Sequence, residues 1–202
     1  LAKSEIFHVA FAPDWSTSIE LARRGAQERI PLSMLRLSNQ TETETHLVLA
    51  GRPKSITWLE RYLRLRGIGK RKSMITFGLT GSYAQCTHAL SQLQVLFAEY
   101  GVVNVGKSLG KIWSHSRFRS PYVRHTLWDV GYAVDTLETA VDWNRLPDAV
   151  ERIEESLRQA IPDLPVHVFT HMSHIYPQGA SIYTSYIFAN AASYEETLAH
   201  WK

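Results

Sequence analysis

The sequence has one cysteine and no long apolar run, and these two shortages argue against two classes of protein. Cys86 has no second cysteine with which to form an internal disulfide, so we expect a reducing compartment, the cytoplasm, rather than a secreted disulfide scaffold. No apolar run approaches the ~20 residues that a transmembrane helix needs. The sequence therefore predicts a protein that works in the cytoplasm without a membrane span.

The chain also lacks a large excess of charge of either sign. It has 22 Lys and Arg residues against 19 Asp and Glu residues, a formal net charge of +3, while 45% of its residues are hydrophobic. A small basic excess does not require a polyanionic partner, and this apolar content is enough for a buried core. We therefore expect a globular protein that binds no nucleic acid.

The two ends of the sequence are not typical of a whole gene product. Residue 1 is a leucine and the first methionine is Met34. The last residues, Trp201 and Lys202, fall within a periodicity that predicts a helix. We expect residues 1–202 to be a piece of a longer protein.

Apolar periodicity predicts short strands that alternate with helices. The predicted strands cover residues 6–11, 74–79, 102–103, 132–140, 166–172 and 181–188, and the predicted helices cover residues 16–28, 41–49, 55–66, 82–100, 147–159 and 193–202. Ser16 or Ser18 is the expected cap of the first helix, and a turn at residues 177–179 joins the last two strands into a hairpin. This pattern is typical of an α+β fold in which helices cover one face of an antiparallel sheet.

Three local patterns have chemical interpretations that we set aside. Residues 101–108 spell a phosphate-binding loop, but a helix precedes them and the valines between the glycines favour a strand. His167, His171 and His174 are close in sequence, but on a strand the third points away from the other two, so we expect no metal. The cations of residues 61–72 suit the solvated end of a helix better than a nucleic-acid surface.

Two polar side chains among aromatic residues are stronger candidates for a site. Arg124 is expected to hold a carboxylate or phosphate of a ligand, unless Asp129 or Glu138 of the chain itself satisfies it. Tyr183 lies among small residues on a predicted strand, where its phenol either exchanges a proton with a ligand or packs in the core. The aromatic and basic stretch at residues 112–128 is expected to line a cavity.

Two segments resemble a known family: residues 122–146 (YVRHTLWDVGYAVDTLETAVDWNRL) and residues 174–183 (HIYPQGASIY). Together they resemble the C-terminal substrate domain of FAD-linked oxidases, most of all the alkyldihydroxyacetonephosphate synthase type. The resemblance extends more faintly over nearly the whole chain. It implies that residues 1–202 form a ferredoxin-like cap and substrate-binding domain, without the FAD-binding domain and without the family's histidine-rich loop.

The resemblance also implies a cofactor and a set of site residues. FAD is the expected cofactor, held mainly by the missing domain. By motif position Arg124 corresponds to the arginine that holds the carboxylate of the fatty acid, and Tyr183 to the tyrosine that acts as acid or base beside the flavin. Both are therefore the expected catalytic residues, meeting in one cleft. The expected substrate-binding residues are Arg124, Tyr176, His174 and Glu138.

Two enzymatic functions and one binding function remain open from the sequence. The first is the exchange of an acyl for an alkyl group in ether-lipid synthesis, carried out by a longer enzyme of which this chain is an inactive part. The second is oxidation of a hydroxy acid or another organic substrate by a related FAD-linked oxidase, and the third is a flavin-free module that binds an anionic ligand. The expected partner is a small-molecule or lipid substrate, while a homodimer and association of the full-length enzyme with a membrane surface stay open.

Overall fold

The computed structural model describes residues 4–116 and 123–202, apart from the side chains of residues 113, 115 and 116. The strands within these residues are β1 (Ser4–Ala12), β2 (Met34–Ser38), β3 (Ser73–Gly81), β4 (Val103–Gly106), β5 (Tyr132–Asp142), β6 (His167–Met172) and β7 (Gly179–Ala189). The α-helices are α1 (Trp15–Gln27), α2 (Gln40–Leu49), α3 (Pro53–Leu65), α4 (Tyr83–Glu99), α5 (Lys107–Ser116), α6 (Val123–Asp129), α7 (Leu146–Arg158) and α8 (Tyr194–Trp201). The expectation that residues 112–128 line a cavity falls partly on residues 117–122, which lie outside the described residues.

The strands form one antiparallel sheet with the order β4-β1-β3-β2-β6-β7-β5. The first four strands have the order 4-1-3-2, with α1 between β1 and β2 and α4 between β3 and β4. This is the arrangement of a ferredoxin-like unit. The α+β class with an antiparallel sheet, predicted from the sequence, is confirmed.

The second half of the sheet repeats most of the first. Strand β5, helix α7, strand β6 and strand β7 follow one another along the chain as β1, α1, β2 and β3 do. Their order across the sheet is reversed, because β2 and β6 pair with each other at the centre. The sheet is therefore built from two topologically related units joined edge to edge.

Helices cover both faces of the first unit. In β1, Ala10 and Ala12 belong to the apolar cluster under α1 and α4, whereas Val9 and Phe11 belong to a second cluster under α2 and α3. Successive side chains of a strand point to opposite faces, and in β1 both sets are apolar. The expectation of helices on one face is therefore corrected for this unit.

One face of the second unit stays open. Ala180 and Ile182 of β7 pack with side chains of α7 in the first cluster, so the even-numbered side chains of β7 face the helices. On the other face, α2 and α3 fill the connection between β2 and β3, but β6 and β7 are joined only by a short hairpin at residues 173–178. Thr136 and Glu138 of β5 are exposed on this open face.

Side-chain caps fix where the helices begin. Asp14, and not Ser16 or Ser18, caps α1: its Oδ1 accepts a hydrogen bond from the backbone N–H of Thr17 at 2.8 Å. Ser193 caps α8, as the sequence predicts. The correction moves the cap of α1 two to four residues earlier in the chain and leaves the element itself in place.

The residues of the phosphate-binding pattern form a strand and not a loop. Residues 103–106 are β4, which pairs with β1, and α5 begins directly at Lys107. A strand directs its amides sideways to its neighbours and cannot wrap them around a phosphate. The valines of this segment predicted that outcome.

Candidate functional site

Tyr183 lies at the centre of the open face of the second unit. Its hydroxyl donates a hydrogen bond to Thr136 Oγ1 of β5 at 3.2 Å. The strand register places Glu138 directly opposite it on β5 and His171 directly opposite it on β6. The ring is half-buried between its neighbours, so the phenol has a fixed direction and still borders the surface. Such a group can give or take a proton.

The imidazole of His171 supports the ring of Tyr183 from the side of β6. The two rings stack with their centroids 4.6 Å apart and their planes inclined by 24°. His171 is buried, and its Nδ1 lies 2.9 Å from Glu42 Oε1. Because both the burial and the hydrogen bond restrict the imidazole, the stacked phenol ring is restricted with it.

Glu42, in the first turn of α2, is the buried anion behind this pair. Only 1% of the residue is exposed, and its Oε1 also accepts a hydrogen bond from Arg36 Nη2 of β2 at 2.8 Å. Burial alone would raise the pKa of Glu42, but the charge of Arg36 and the hydrogen bond with His171 outweigh it and lower that pKa to about 2. The carboxylate is therefore ionised at neutral pH, and Arg36 Nη2 lies 3.0 Å from His171 Nδ1, so the three side chains form one contact network.

Sequence reasoning missed Glu42, although one local signal concerned it. The spacing of Asn39 and Glu42 is that of a helix capping box, and Asn39 Oδ1 accepts a hydrogen bond from the Glu42 backbone N–H at 2.8 Å. The carboxylate does not turn back to Asn39 as such a box requires. It points instead to Arg36, six residues earlier in the chain, and to His171, which only the folded sheet brings near.

Glu138 and His174, two of the expected substrate-binding residues, lie on the same face as Tyr183. His174 Nδ1 is 3.3 Å from Glu138 Oε1, and both side chains are exposed. The backbone N–H of His174 donates to Ser181 Oγ at 3.3 Å, which ties the end of β6 to β7. The structure thus brings together three of the five expected site residues.

Tyr176 lies in the hairpin that joins β6 to β7. Its backbone is held at both polar atoms: the N–H donates to Gly179 O at 2.9 Å, and the carbonyl accepts from Trp143 Nε1 at 3.0 Å. Its side chain is exposed. The main chain is therefore anchored while the ring is free to meet a ligand.

Arg124, on α6, has a different partner from those expected. Its side chain is 63% exposed, and Nη2 lies 4.0 Å from Asp135 Oδ1 of β5. The sequence predicts Asp129 or Glu138 as the alternative to a ligand. An exposed pair at this distance contributes little to stability.

Arg124 and Tyr183 lie on opposite faces of the β5–β7 pair. Asp135, the partner of Arg124, is in register with Tyr186 of β7. Tyr186 is three residues from Tyr183, so the two tyrosines point to opposite faces. The described residues therefore do not form the single cleft that was expected, because motif positions in a sequence carry no information on which face of a strand a neighbouring helix covers.

Arg124 borders an apolar pocket of its own. The pocket has a volume of about 180 Å³, and its lining includes Trp128, Phe188, Leu198 and Trp201. A guanidinium beside apolar side chains suits a ligand with a carboxylate at the end of an apolar chain. This pocket suits the carboxylate binding predicted for Arg124, at a place separate from Tyr183.

The size of a cavity does not identify the site in this molecule. A much larger groove, about 1340 Å³, runs between α1 and α7, and none of the expected site residues lines it. In the part of the chain that the structure describes, no three His, Cys, Asp or Glu side chains cluster as metal ligands would. The chemistry of the side chains therefore locates the candidate site on the open face.

Comparisons with known sequences agree with this architecture. Residues 1–202 match the family described as FAD linked oxidases, C-terminal domain. Over 116 residues, 56% of the chain, the sequence is 27% identical to alkyldihydroxyacetonephosphate synthase of Dictyostelium discoideum, and the match covers 18% of that protein.

Comparisons with solved structures show the same fold. A structure of alkyldihydroxyacetonephosphate synthase superposes with a TM-score of 0.87 over 99% of this chain and 38% of that one, at 17% identity. The 4-ethylphenol oxidase from Gulosibacter chungangensis superposes with a TM-score of 0.61 over 98% of this chain and 42% of that one, at 11% identity. The chain thus spans less than half the length of these relatives.

Proposed function

The chain belongs to the family of FAD-linked oxidase C-terminal domains, and from that premise we propose that it is the substrate-binding domain of a flavoenzyme of the alkyldihydroxyacetonephosphate synthase type. The observation that carries the proposal is the open face on which Tyr183 stands against the buried pair of His171 and Glu42. The sequence match and the higher TM-score favour the synthase type over the phenol oxidase.

The described residues fit a place beside FAD and not the task of holding it. A dinucleotide needs backbone amides that cradle its phosphates, usually in a glycine-rich turn at the start of a helix. The residues that spell such a turn here form β4. The hydroxyl, imidazole and carboxylate groups of the open face suit a polar substrate instead. FAD, when bound by another domain, supplies the reactive ring at which the substrate carbon is transformed.

Tyr183 is the group that moves a proton in this proposal. The hydrogen bond to Thr136 and the stack on His171 fix the direction of its hydroxyl, so that Oη can meet a substrate carbon or oxygen on the open face. A positioned acid or base of this kind contributes roughly 10²- to 10⁴-fold to a rate. Glu42 and Arg36 do not touch the substrate; they hold the imidazole that holds the phenol.

The exposed pair of Glu138 and His174 binds the polar part of the substrate, beside Tyr183. The two side chains contact each other at 3.3 Å, so a hydroxyl of the substrate meets both at once. The ring of Tyr176 lies in the neighbouring hairpin and packs on the bound molecule. The polar side chains of this pair suit a small molecule or a lipid with a polar head.

Arg124 binds the carboxylate of an acyl or fatty-acid group in the apolar pocket that it borders. The lining by Phe188, Leu198 and Trp201 supplies contact for the apolar chain of such a group. Since Arg124 and Tyr183 lie on opposite faces, this binding is separate from the proton transfer at Tyr183. The two roles are therefore tested separately.

A second function, oxidation of another organic substrate, is favoured by the similarity of fold to the 4-ethylphenol oxidase. The full-length protein, assayed for exchange of a fatty alcohol for the acyl group of an acyl-dihydroxyacetone phosphate, is expected to show that exchange without net reduction of flavin. Bleaching of the flavin by hydroxy acids or phenols with no exchange would establish the oxidase instead. A full-length protein that binds no flavin would leave the anionic-ligand module.

Three further expectations accompany this proposal. The protein acts in the cytoplasm, it forms a homodimer, and the full-length enzyme associates with a membrane surface where a lipid substrate would be found. The similarity to a synthase of lipid-like compounds supports the last of them.

A further inference from the structure

Helix α3 exposes large apolar side chains on the face opposite its buried one. Ile56, Leu59 and Leu63 pack in the second apolar cluster. Trp58 and Leu65, on the opposite side of the helix, are 70% and 81% exposed. The outer face of α3 comprises Lys54, Trp58, Arg61, Tyr62 and Leu65. Together these apolar side chains form an exposed patch, and a contiguous patch of this kind is typical of an interaction surface.

Basic residues surround these apolar side chains. Residues 52–72 contain eight Lys or Arg residues and one Asp or Glu, although the whole chain has only three more basic than acidic residues. The one acid, Glu60, pairs with the buried Lys72 at 3.1 Å. The remaining cations include Arg64, Arg66 and Lys70, all exposed. The positive charge of the chain is therefore concentrated around α3.

The aromatic and basic side chains of α3 are interleaved. The guanidinium of Arg61 lies 5.8 Å from the ring centre of Trp58, and that of Arg66 lies 5.9 Å from the ring centre of Tyr62. Arg66 Nη1 also donates a hydrogen bond to Tyr62 Oη at 3.1 Å. Tryptophan and tyrosine beside cations are the side chains enriched where a bilayer meets water.

The end of α2 adds aliphatic side chains just before α3 begins. Val48 and Leu49 are both strongly exposed, and a turn through Gly51, at φ +63°, connects them to α3. Aliphatic side chains gain nothing from stacking on bases, which is how proteins hold single-stranded nucleic acid. They do gain from entering the apolar boundary of a bilayer.

We propose that the outer face of α3 docks on the surface of an anionic lipid bilayer. This inference names the surface for the membrane association in the proposed function, on which it rests, but it involves neither Tyr183 nor Arg124. Charge complementarity selects an anionic surface, and the exposed Trp58 and Leu65 enter the boundary between head groups and acyl chains. None of the helices in residues 4–116 and 123–202 is long and apolar enough to cross a bilayer, so α3 lies along the surface.

The first test is sedimentation of the full-length protein, and of the 202-residue chain in parallel, with two kinds of vesicle. Vesicles of equal parts phosphatidylserine and phosphatidylcholine are expected to carry the protein down, and vesicles of phosphatidylcholine alone are not. Salt at 1 M should release it, because the screening length falls to about 3 Å. Equal binding to both vesicles, or no binding to either, would overturn the proposal.

Variants test whether vesicle binding depends on the outer face of α3 or is nonspecific. Lys54→Glu with Arg61→Glu should weaken binding at least roughly 25-fold, since each cation near an anionic surface is worth about fivefold. Trp58→Ser with Leu65→Ser should abolish it. The matched control is Arg152→Glu with Val95→Ser, which changes an exposed cation and an exposed apolar residue on α7 and α4. A control that weakens binding as much as the test variants contradicts the assignment.

Tryptophan fluorescence gives an independent readout that does not depend on enzyme activity. Vesicles with phosphatidylserine should shift the emission to shorter wavelength, and Trp58→Phe should remove most of that shift while binding persists. Trp201→Phe, at another exposed tryptophan, should leave the shift in place. Tight binding to a single-stranded oligonucleotide with no response to vesicles would assign the surface to nucleic acid and refute the proposal. If the full-length enzyme is active but the α3 variants bind vesicles as the parent does, the docking surface is refuted and the proposed function is unaffected.

Discussion

His171 and Tyr183 face each other across the β6–β7 pair with their rings stacked at 4.6 Å. The imidazole has a buried carboxylate behind it, Glu42, whose pKa is lowered to about 2. One side of the phenol is thus fixed by the core, while its hydroxyl reaches across to Thr136 at the surface. This relationship distinguishes Tyr183 from the other tyrosines of the sheet.

Tyr183→Phe in the full-length enzyme removes the hydroxyl and leaves the ring stack in place. Turnover should fall about 100-fold or more, the usual range for loss of a positioned acid or base, while flavin absorbance and the melting temperature stay as in the parent. The comparison is Tyr186→Phe, on the opposite face of β7. Equal turnover in the parent and the Tyr183 variant would mean that the phenol is structural.

Glu42→Gln removes a buried charge that Arg36 and His171 both contact. The free energy of unfolding should fall by roughly 3 kcal/mol, because one partner of a buried ionic group is lost and the other stays buried. Urea denaturation of the chain measures the change. The control is Glu44→Gln, which changes an exposed carboxylate two residues further along α2. It should change the free energy of unfolding by less than about 0.5 kcal/mol. Similar losses of unfolding free energy in both variants would show that the contacts of Glu42 with Arg36 and His171 do not stabilise the fold.

Acid should destabilise the protein through the same carboxylate. The pKa of Glu42 lies at about 2 in the folded chain and at the ordinary 4.5 when unfolded. The stabilisation is therefore complete above pH 4.5 and is lost as the pH falls toward 2, where the unfolded chain takes up the proton first. Urea midpoints measured across this window should fall less steeply for Glu42→Gln than for the parent, and parallel curves would contradict the assigned pKa.

The strands and helices were largely predictable because their signals are local. The apolar run of β1, the periodicity of α3 and α4 and the cap at Ser193 each lie within one element. Strand β2 had no prediction, since its five residues, Met34–Ser38, are too few for a clear alternation. Helices on both faces of the first unit were not predicted. Apolar side chains on both faces make β1 a nearly continuous apolar run in the sequence, which does not indicate how many of its faces are covered.

The candidate site was predictable only in part, for a different reason. Tyr183, Glu138 and His174 share a face because β5 pairs with β7 in one register, and the two segments that resemble the family already contain them. Arg36 and Glu42 are six residues apart, but His171, the third member of their network, lies on β6, which only the folded sheet brings to them. Hydrogen bonds between residues more than 100 positions apart leave no periodicity to find.

Arg124→Ala should separate binding from stability. The side chain is exposed and its pair with Asp135 spans 4.0 Å, so unfolding free energy should change by less than about 0.5 kcal/mol. Affinity of the full-length enzyme for acyl substrates should fall roughly tenfold or more with the loss of a charge-assisted contact. Arg152→Ala, on α7, is the control and should alter neither. Unchanged affinity in the Arg124 variant would remove this residue from the substrate site.

The isolated chain should carry no flavin. The described residues offer polar groups toward a substrate but no phosphate cradle, so purified residues 1–202 should lack absorbance near the flavin bands in the visible spectrum. Added FAD should raise the melting temperature by less than the error of the measurement, since a ligand stabilises only the state that binds it. A yellow preparation, or a clear shift on addition of FAD, would show that this domain binds the cofactor by itself.

The short hairpin at residues 173–178 has a consequence for how such domains diversify. In the first unit the equivalent connection contains α2 and α3 and shields the sheet, whereas in the second it is a short hairpin and leaves Tyr183 within reach. Lengthening this connection is therefore the simplest evolutionary route to a narrower substrate range, and trimming it the route to a broader one. An engineered insertion in this connection would cover more of the open face, and it would also move His174 and Tyr176, which lie within it.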